Sequence, residues 1–158
     1  MGNRIRNHWE QLAFAMEEVF LGHEIDAIFL DDKATALLGM LEQLTAAEAS
    51  YAVCGSSVVS HVRHVLFSVS AYRDAIRQDD PDFIANGWPE WDETEVTHEE
   101  WQGMMAELPL RIAAFLKFLQ VRTEAGDRRY LSALGALGHM AFHLGAIQVK
   151  YDMLKASS

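Results

Sequence analysis

The sequence predicts an all-α protein built as a four-helix bundle. Along four long segments, apolar residues recur at spacings of three and four, which is the pattern of a helix with one face turned to a core. Strand-like alternation is nearly absent, and a long loop with two prolines separates the second segment from the third. A bundle with one long crossover between helices 2 and 3 accommodates these segments most simply.

Length and charge bound the class of protein. The chain has 158 residues, of which 50% are hydrophobic, enough for a single domain spanning residues 1–158 with one core. Asp and Glu outnumber Lys and Arg by 23 to 13, which gives a formal net charge of −10. The basic residues are scattered and form no concentrated patch, so a phosphate backbone would be repelled. The composition therefore argues against a nucleic-acid partner.

The single cysteine, Cys54, leaves no possibility of an intrachain disulfide and agrees with a reducing compartment. We expect it to be a small, partly buried residue in a turn. The first residues, MGNRIRNHWEQ, lack the apolar run of a secretory signal. No stretch approaches the roughly 18 uninterrupted apolar residues of a membrane span. These features predict a cytoplasmic protein with no membrane partner.

The first predicted helix covers about residues 4–20, and Gly22 provides a stop. Residues 27–30 (AIFL) are compatible with an extended segment. Residues 33–44 form a second helical stretch, either a separate short helix or the remainder of the first. A T-x-x-E capping box that begins at Thr45 then predicts one more helical turn.

The second long helix is predicted over residues 58–77, after a loop at 54–57 (CGSS) whose serines supply caps. Its apolar seam alternates spacings of four and three through Val58, Val62, Val65, Val69, Tyr72 and Ile76. Residues 78–97 form a long loop that carries Trp88 and Trp91. Loops of this length in compact domains are usually functional, so we expect this one to shape a pocket or pack as a lid.

The third long helix is predicted over residues 98–122, after a capping box formed by Thr97 and Glu100. Pro109 is expected to kink or divide this helix, because proline removes a hydrogen bond and clashes with the preceding turn. The remaining elements are a turn at 123–127 and a last helix at about 128–155.

Histidines are the residues that point to chemistry. His139 and His143 are four apart on the last helix, a spacing that places both rings on one face where they can bind a single ion. Such a site needs at least one more ligand from another helix. The second long helix supplies two candidates, His61 and His64, three residues apart. The alternative is that each histidine is an ordinary, partly exposed side chain.

Helix phase gives a first estimate of where these rings point. At 100° per residue, His61 lies just beside the valine seam, whereas His64 lies further round the helix. His139 and His143 lie on the flank of the apolar stripe of the last helix. If these faces meet, the site is a groove at the edge of the bundle with one side open to solvent. An open coordination position is typical of a catalytic metal.

Other kinds of site have little support. The chain contains no G-x-S-x-G, P-loop or G-x-G-x-x-G motif, and it lacks the paired Glu-x-x-His motifs of a carboxylate-bridged di-iron site. Nothing recommends a catalytic pair between Cys54 and a histidine. Trp101 and the two tryptophans of the long loop have two alternative roles: they line the mouth of a pocket, or they hold the loop in place by packing. We expect the three remaining histidines to be surface residues: His8, His23 and His98.

Two motifs resemble those of the DinB/YfiT-like metalloenzyme superfamily. Residues 57–65 (SVVSHVRHV) fit the pattern S-[VI]-x-x-x-[VL]-x-H-[VL] of its second helix. The pattern H-x-x-x-H-x-G-x-I of its fourth helix is matched by His139, His143, Gly145 and Ile147. The order of the elements and the long crossover match as well, so the resemblance covers nearly the whole chain.

The resemblance implies an up-down-down-up bundle, usually a homodimer, with one divalent ion (nickel, zinc or iron) bound by three histidines and water. Carried over to this chain, the metal ligands are His64, His139 and His143. The phase estimate favoured His61 instead; we follow the motif and regard His61 as a neighbour of the site or an alternative ligand. One departure is Ala146, where the family often has glutamine.

The resemblance also suggests a reaction class. Characterised relatives include S-transferases and an isomerase that use low-molecular-weight thiols such as bacillithiol or mycothiol. Thiol chemistry is physically reasonable at such a site, since a divalent ion lowers the pKa of a bound thiol. The rival hypothesis is a non-catalytic, dimeric bundle that binds a metal or small ligand in a stress-related role.

Overall fold

The structure is a computed structural model that describes residues 7–28, 30–79, 94–123 and 127–156. These residues form an all-helical protein and contain no strand; one isolated bridge joins Val53 to Ser56. A single 3₁₀ turn covers Lys33–Thr35. The α-helices are α1 His8–Leu21, α2 Leu37–Leu41, α3 Ala46–Ser50, α4 Val58–Gln78, α5 His98–Gln120 and α6 Asp127–Ala156.

Helix α1 begins at His8 in the described part of the chain, about four residues later than predicted. Asn7 is its N-cap and forms a reciprocal capping box with Glu10, which satisfies backbone N–H groups that the helix itself leaves unpaired. The predicted stop at Gly22 is confirmed: it has a φ of 69°, a conformation that glycine adopts without strain.

The segment after α1 is held by a buried carboxylate. Glu18 is fully buried, and its oxygens accept hydrogen bonds of 2.8–2.9 Å from the backbone N–H groups of Ile28 and Leu30. This segment forms no strand in its described residues 27, 28 and 30. The helical stretch predicted at 33–44 is divided into the 3₁₀ turn and α2. The 3₁₀ turn and α2 are both separate from α1.

The capping predictions for the middle of the chain are confirmed. Thr45 and Glu48 form the capping box of α3, and Thr97 and Glu100 form that of α5. Ser57 caps α4 by accepting a hydrogen bond from the backbone N–H of Ser60. The predicted valine seam of α4 is buried along its whole length.

Pro109 does not divide α5, so that part of the prediction is wrong. The helix runs unbroken from His98 to Gln120 with Pro109 inside it. Its neighbours Leu108 and Ile112 are both essentially fully buried. Packing on either side of the proline holds the helix in place and offsets the missing backbone hydrogen bond.

Trp101 belongs to the core and does not line a pocket mouth. It is 2% exposed, and its indole N–H donates to the carbonyl of Leu44 at 3.1 Å. This contact attaches the start of α5 to the chain between α2 and α3. Trp88 and Trp91 of the loop predicted at residues 78–97 lie outside the described residues, as does the rest of its segment 80–93.

The four long helices pack on one another in pairs. Helix α4 contacts α5 and α6, and α1 contacts the same two helices. Near the start of α1, the ring of Trp9 lies 5.5 Å from that of Tyr130 at the start of α6, and the guanidinium of Arg122, just after α5, lies 5.4 Å from the Trp9 ring. Near the end of α4, Asp79 lies 3.8 Å from Arg129 of α6. The α4–α6 contact brings the histidine-bearing faces together.

Candidate metal centre

Three histidines from two helices converge on one point. His64 of α4 and His139 and His143 of α6 each offer a ring nitrogen, and these atoms lie within 4.8 Å of one another. Nε2 of His139 is 3.0 Å from Nε2 of His64 and 3.2 Å from Nε2 of His143. The structure therefore brings together the three residues that the sequence singled out as ligands.

The distances suit a shared cation. A neutral ring nitrogen carries either one N–H or one lone pair, so Nε2 of His139 cannot form good hydrogen bonds with both neighbours at once. Metal–nitrogen bonds of about 2.0–2.1 Å place tetrahedral ligand nitrogens about 3.3 Å apart, close to the 3.0 and 3.2 Å that separate His139 from its two neighbours. Histidine nitrogens suit zinc, nickel and iron alike. The cluster can hold a divalent ion, and its residue types leave the identity of that ion open.

His61 lies next to the cluster and contacts one of its members. Its Nδ1 is 2.9 Å from Nδ1 of His143, and its Nε2 is 3.3 Å from the hydroxyl oxygen of Ser56. His61 and His64 are both 5% exposed, so helix phase does not separate an inner ring from an outer one. They differ in which nitrogen of the α6 histidines they meet, and this depends on the register of α4 against α6.

The site is more buried than the sequence suggested. His143 was expected on the flank of the α6 stripe, but it is 1% exposed and therefore part of the core. The reason is that two rings of α4 pack against it: Nδ1 of His61 lies 2.9 Å from its Nδ1, and the His64 ring lies 4.8 Å from its ring. His139 is the half-buried member of the cluster, so the side of the site nearest His139 is the one closest to solvent.

Burial keeps the four rings neutral. It lowers the pKa of His61 to about 4, with the Lys150 ammonium and the His64 ring adding to the shift. Burial and then the His139 ring lower the pKa of His64 to about 4. Burial, followed by the three neighbouring histidines, lowers the pKa of His143 to about 3, and burial also lowers that of His139. Neutral imidazole is the form that binds metals, so these shifts favour ligation near neutral pH.

The sequence reasoning missed two polar neighbours of the cluster. The hydroxyl oxygen of Ser68 is 3.3 Å from Nε2 of His139, and the Tyr72 ring lies 5.5 Å from the His139 ring. Desolvation raises the pKa of the Tyr72 hydroxyl. A signal for both was present, because Ser68 and Tyr72 follow His64 at intervals of four and share its helix face.

Lys150 is a second functional candidate that the sequence did not reveal. It is 5% exposed, and its ammonium donates to the carbonyl oxygens of Val53 and, at 3.0 Å, Ser56. It thereby fixes the tight turn between α3 and α4 against α6. Cys54 lies in this turn at a φ of 54°, but it is exposed and not partly buried as expected.

The remaining histidines lie outside the cluster. His8 and His98 are exposed, as predicted. His23 is half-buried instead: its ring stacks on Phe14 at 4.1 Å, and its Nε2 lies 3.0 Å from the Phe14 carbonyl oxygen. A cavity of about 690 Å³ lies between α3, the following turn and the end of α6, and Cys54 is among its lining residues. None of the clustered histidines lines that cavity.

No protein-family model, curated protein or solved structure matches this chain. Its class is therefore defined by fold and site: an all-helical protein with a three-histidine cluster that can hold a metal ion. Among the described helices, α6 is long and apolar enough to cross a membrane by length and composition, over residues 128–156. The core helix of a soluble protein meets the same criterion, so this is weak evidence.

Proposed function

We propose that the chain is a metal-dependent enzyme of the DinB-like superfamily that binds one divalent ion through His64, His139 and His143. The observation that carries the proposal is the convergence of three neutral Nε2 atoms from two helices. The motif at residues 57–65 and the motif beginning at His139 support the superfamily assignment.

The proposed architecture is the up-down-down-up bundle of that superfamily. The starts of α1 and α6 meet through Trp9 and Tyr130, which supports a parallel pair. The end of α4 meets the start of α6 through Asp79 and Arg129, which supports an antiparallel pair. Arg111, in the middle of α5, donates to the Leu66 carbonyl in the middle of α4. The order of the four long helices is consistent with one long crossover between α4 and α5.

We further propose chemistry on a low-molecular-weight thiol, either S-transfer or isomerisation. A divalent ion bound here would lower the pKa of a thiol or a water and present it as a nucleophile. The chain's own contribution is to hold three neutral rings in place and to keep water away from the side nearest His143. Ser68 and Tyr72 lie beside His139 and are polar neighbours of the proposed site.

The first experiment is elemental analysis of tag-free protein purified without chelator. We expect one equivalent of nickel, zinc or iron per chain, lost when His139 and His143 are both replaced. Loaded protein should then be assayed with small electrophiles and a panel of thiols, including bacillithiol and mycothiol. Protein that takes up none of these ions, even after dialysis against each of them, would contradict the proposal. Metal uptake without turnover on any thiol would favour the non-catalytic binding protein.

A homodimer is the proposed assembly, and the outer face of α6 supports it. No Asp, Glu, Lys or Arg occurs from residue 130 to residue 149. Large apolar side chains are exposed along one stripe of this helix: Leu131, Leu134, Phe142, Val149 and Met153. An uncharged face of this kind favours a second copy of a chain whose overall charge of −10 would otherwise repel it.

The stripe can also pair with the same stripe of a second copy across a two-fold axis, with the two α6 helices antiparallel. Leu131 lies eleven residues before Phe142, and Met153 lies eleven residues after it. Gly138 and Gly145 flank Phe142, and a Cβ at either glycine would meet no atom within 4 Å. Two antiparallel copies of α6 would thus seat each Phe142 between the glycines of the other.

Light scattering is expected to show a dimer at micromolar concentration. Phe142→Glu should shift the protein to a monomer, because it places a charge at the centre of the stripe. Leu110→Glu is the matched control, since Leu110 is 73% exposed on α5, away from the stripe, and should leave the dimer intact. A wild-type protein that is monomeric at this concentration would refute the assembly.

A cytoplasmic location, with neither a membrane nor a nucleic acid as partner, completes the proposal. The net charge of −10 supports the absence of a nucleic-acid partner. The proposal accounts for the apolar character of α6 without a membrane. One face of the helix packs against α1 and α4, and the opposite face carries the stripe that would be buried in the proposed dimer.

A further inference from the structure

We propose that His61 is a positioning residue that holds His143 in the tautomer with its proton on Nδ1 and its Nε2 lone pair turned toward the metal. The proposal rests on the proposed three-histidine site and deepens it. His61 acts through His143, since the Nδ1 atoms of the two rings lie 2.9 Å apart.

The geometry and the proposed metal ligation together determine which nitrogen carries each proton. The Nδ1 atoms of His61 and His143 are 2.9 Å apart, so one must carry a proton and the other a lone pair. Nε2 of His143 faces Nε2 of His139 and needs its lone pair for the metal. The proton of His143 therefore lies on Nδ1 and is donated to Nδ1 of His61. His61 then has its own proton on Nε2, where the hydroxyl oxygen of Ser56 accepts it at 3.3 Å.

The hydrogen bonds that begin at His143 of α6 end at Ser56, and Ser56 is in turn bonded to Lys150 of the same helix. Ser56 lies in the turn whose carbonyl oxygens, at Val53 and Ser56, accept hydrogen bonds from Lys150. Lys150 is on α6, seven residues or two helical turns beyond His143. A closed ring of hydrogen-bonded residues thus links α6, α4 and the turn: His143, His61, Ser56 and Lys150. This arrangement of hydrogen bonds restricts the rotation of the His143 side chain.

A hydrogen bond of this type is common around bound metals. A ligating histidine almost always donates its other N–H to a fixed acceptor, and loss of that acceptor lowers metal affinity by about 10–100-fold. The usual acceptor is a carboxylate, a carbonyl or a water. Here a neutral histidine occupies that place, which accounts for a fourth buried ring beside a three-histidine cluster.

The first test is made on metal-free protein, because a tautomer that His61 holds in place must already be present before a metal binds. Long-range ¹H–¹⁵N NMR of uniformly labelled protein reports which nitrogen of each assigned ring is protonated. We expect His143 to carry its proton on Nδ1 and His61 on Nε2. In His61→Leu, the His143 ring should become a mixture of the two tautomers. A His143 ring protonated on Nε2 in the wild type would overturn the inference, whether or not the protein binds metal.

The second test compares two substitutions at one position. His61→Asn keeps an acceptor oxygen near the place of Nδ1, whereas His61→Leu fills similar space without one. Titration with Zn²⁺ should show affinity reduced about 10–100-fold in His61→Leu and largely retained in His61→Asn, with one ion bound per chain in both. Thermal unfolding monitored by circular dichroism confirms that each variant folds. Equal loss in both variants, or none in His61→Leu, would overturn the inference.

Ser56→Ala provides a variant with little risk to the fold, because Ser56 is only half-buried. We expect it to move part of the His61 proton from Nε2 to Nδ1, since it removes the acceptor of His61 Nε2. The His143 tautomer should shift with it, because the two facing Nδ1 atoms share one proton. If the wild type binds no metal while the NMR pattern is as expected, the proposed function fails and the assignment of His61 stands. The two proposals are thereby separated.

Discussion

Replacing His143 with alanine is expected to abolish tight binding of a divalent ion while the protein remains folded. Nε2 of His143 is one of the three converging nitrogens. Loss of a ligand's hydrogen-bond partner alone costs metal affinity about 10–100-fold, so loss of the ligand itself should cost more than about 100-fold. Calorimetric titration with Zn²⁺ and elemental analysis of the purified variant measure this effect.

The same substitution also separates a catalytic site from a structural one. Alanine leaves Nδ1 of His61 without its 2.9 Å partner, which should lower the free energy of unfolding by about 1–3 kcal/mol. At a structural site, stability should disappear together with the metal. His139→Ala is a gentler second variant, because His139 is half-buried. His98→Ala, at an exposed position, is the control and should bind metal like the wild type. Unchanged affinity in both cluster variants would refute the site.

Metal-free protein is expected to lose stability steeply as the pH falls from about 6.5 toward 4. The ordinary histidine pKa is 6.5, whereas in the folded protein the pKa is about 4 for His61 and His64 and about 3 for His143. Between these values the unfolded chain binds protons that the folded chain does not. The free energy of unfolding therefore falls with pH in this window and is retained above about 6.5.

One unit of pKa difference corresponds to about 1.4 kcal/mol, so three rings should together remove several kcal/mol. Glu48 adds a further loss at lower pH, because its hydrogen bond from Lys155 lowers its pKa from 4.5 to about 2. Urea denaturation at pH 7, 6, 5 and 4.5 isolates the histidine contribution. His61→Leu should flatten the dependence, and His98→Gln should run parallel to the wild type. A constant free energy of unfolding over this range would contradict the burial of neutral rings.

The local features of the fold were predictable from the sequence. Capping boxes at Thr45 and Thr97, the stop at Gly22 and the buried valine seam of α4 each depend on residues within one or two turns. The prediction for Pro109 was wrong because it considered only the local effect of proline on a helix and not the tertiary packing around it. Packing of Leu108 and Ile112 keeps α5 continuous where the isolated sequence would bend or break.

In the candidate site, too, the local features were predictable from the sequence, whereas the contacts between helices were not. Spacings of three and four determine that His61 pairs with His64, and His139 with His143, on one face of each helix, because an α-helix has 3.6 residues per turn. The motifs singled out His64 as the third member of the cluster, and the structure places it there. The residues around the cluster, such as Ser68, follow from the same spacing once the face is known.

The sequence by itself thus determined the helices, their caps and the pairs of histidines that share a face. Only the tertiary structure decided that His64 meets Nε2 of His139 while His61 meets Nδ1 of His143. It also decided that Lys150 donates a hydrogen bond to the carbonyl oxygen of Ser56, 94 residues earlier in the chain. The physical reason is that rotation and register between packed helices depend on contacts between distant residues, whereas the pattern along one helix depends only on its own turn.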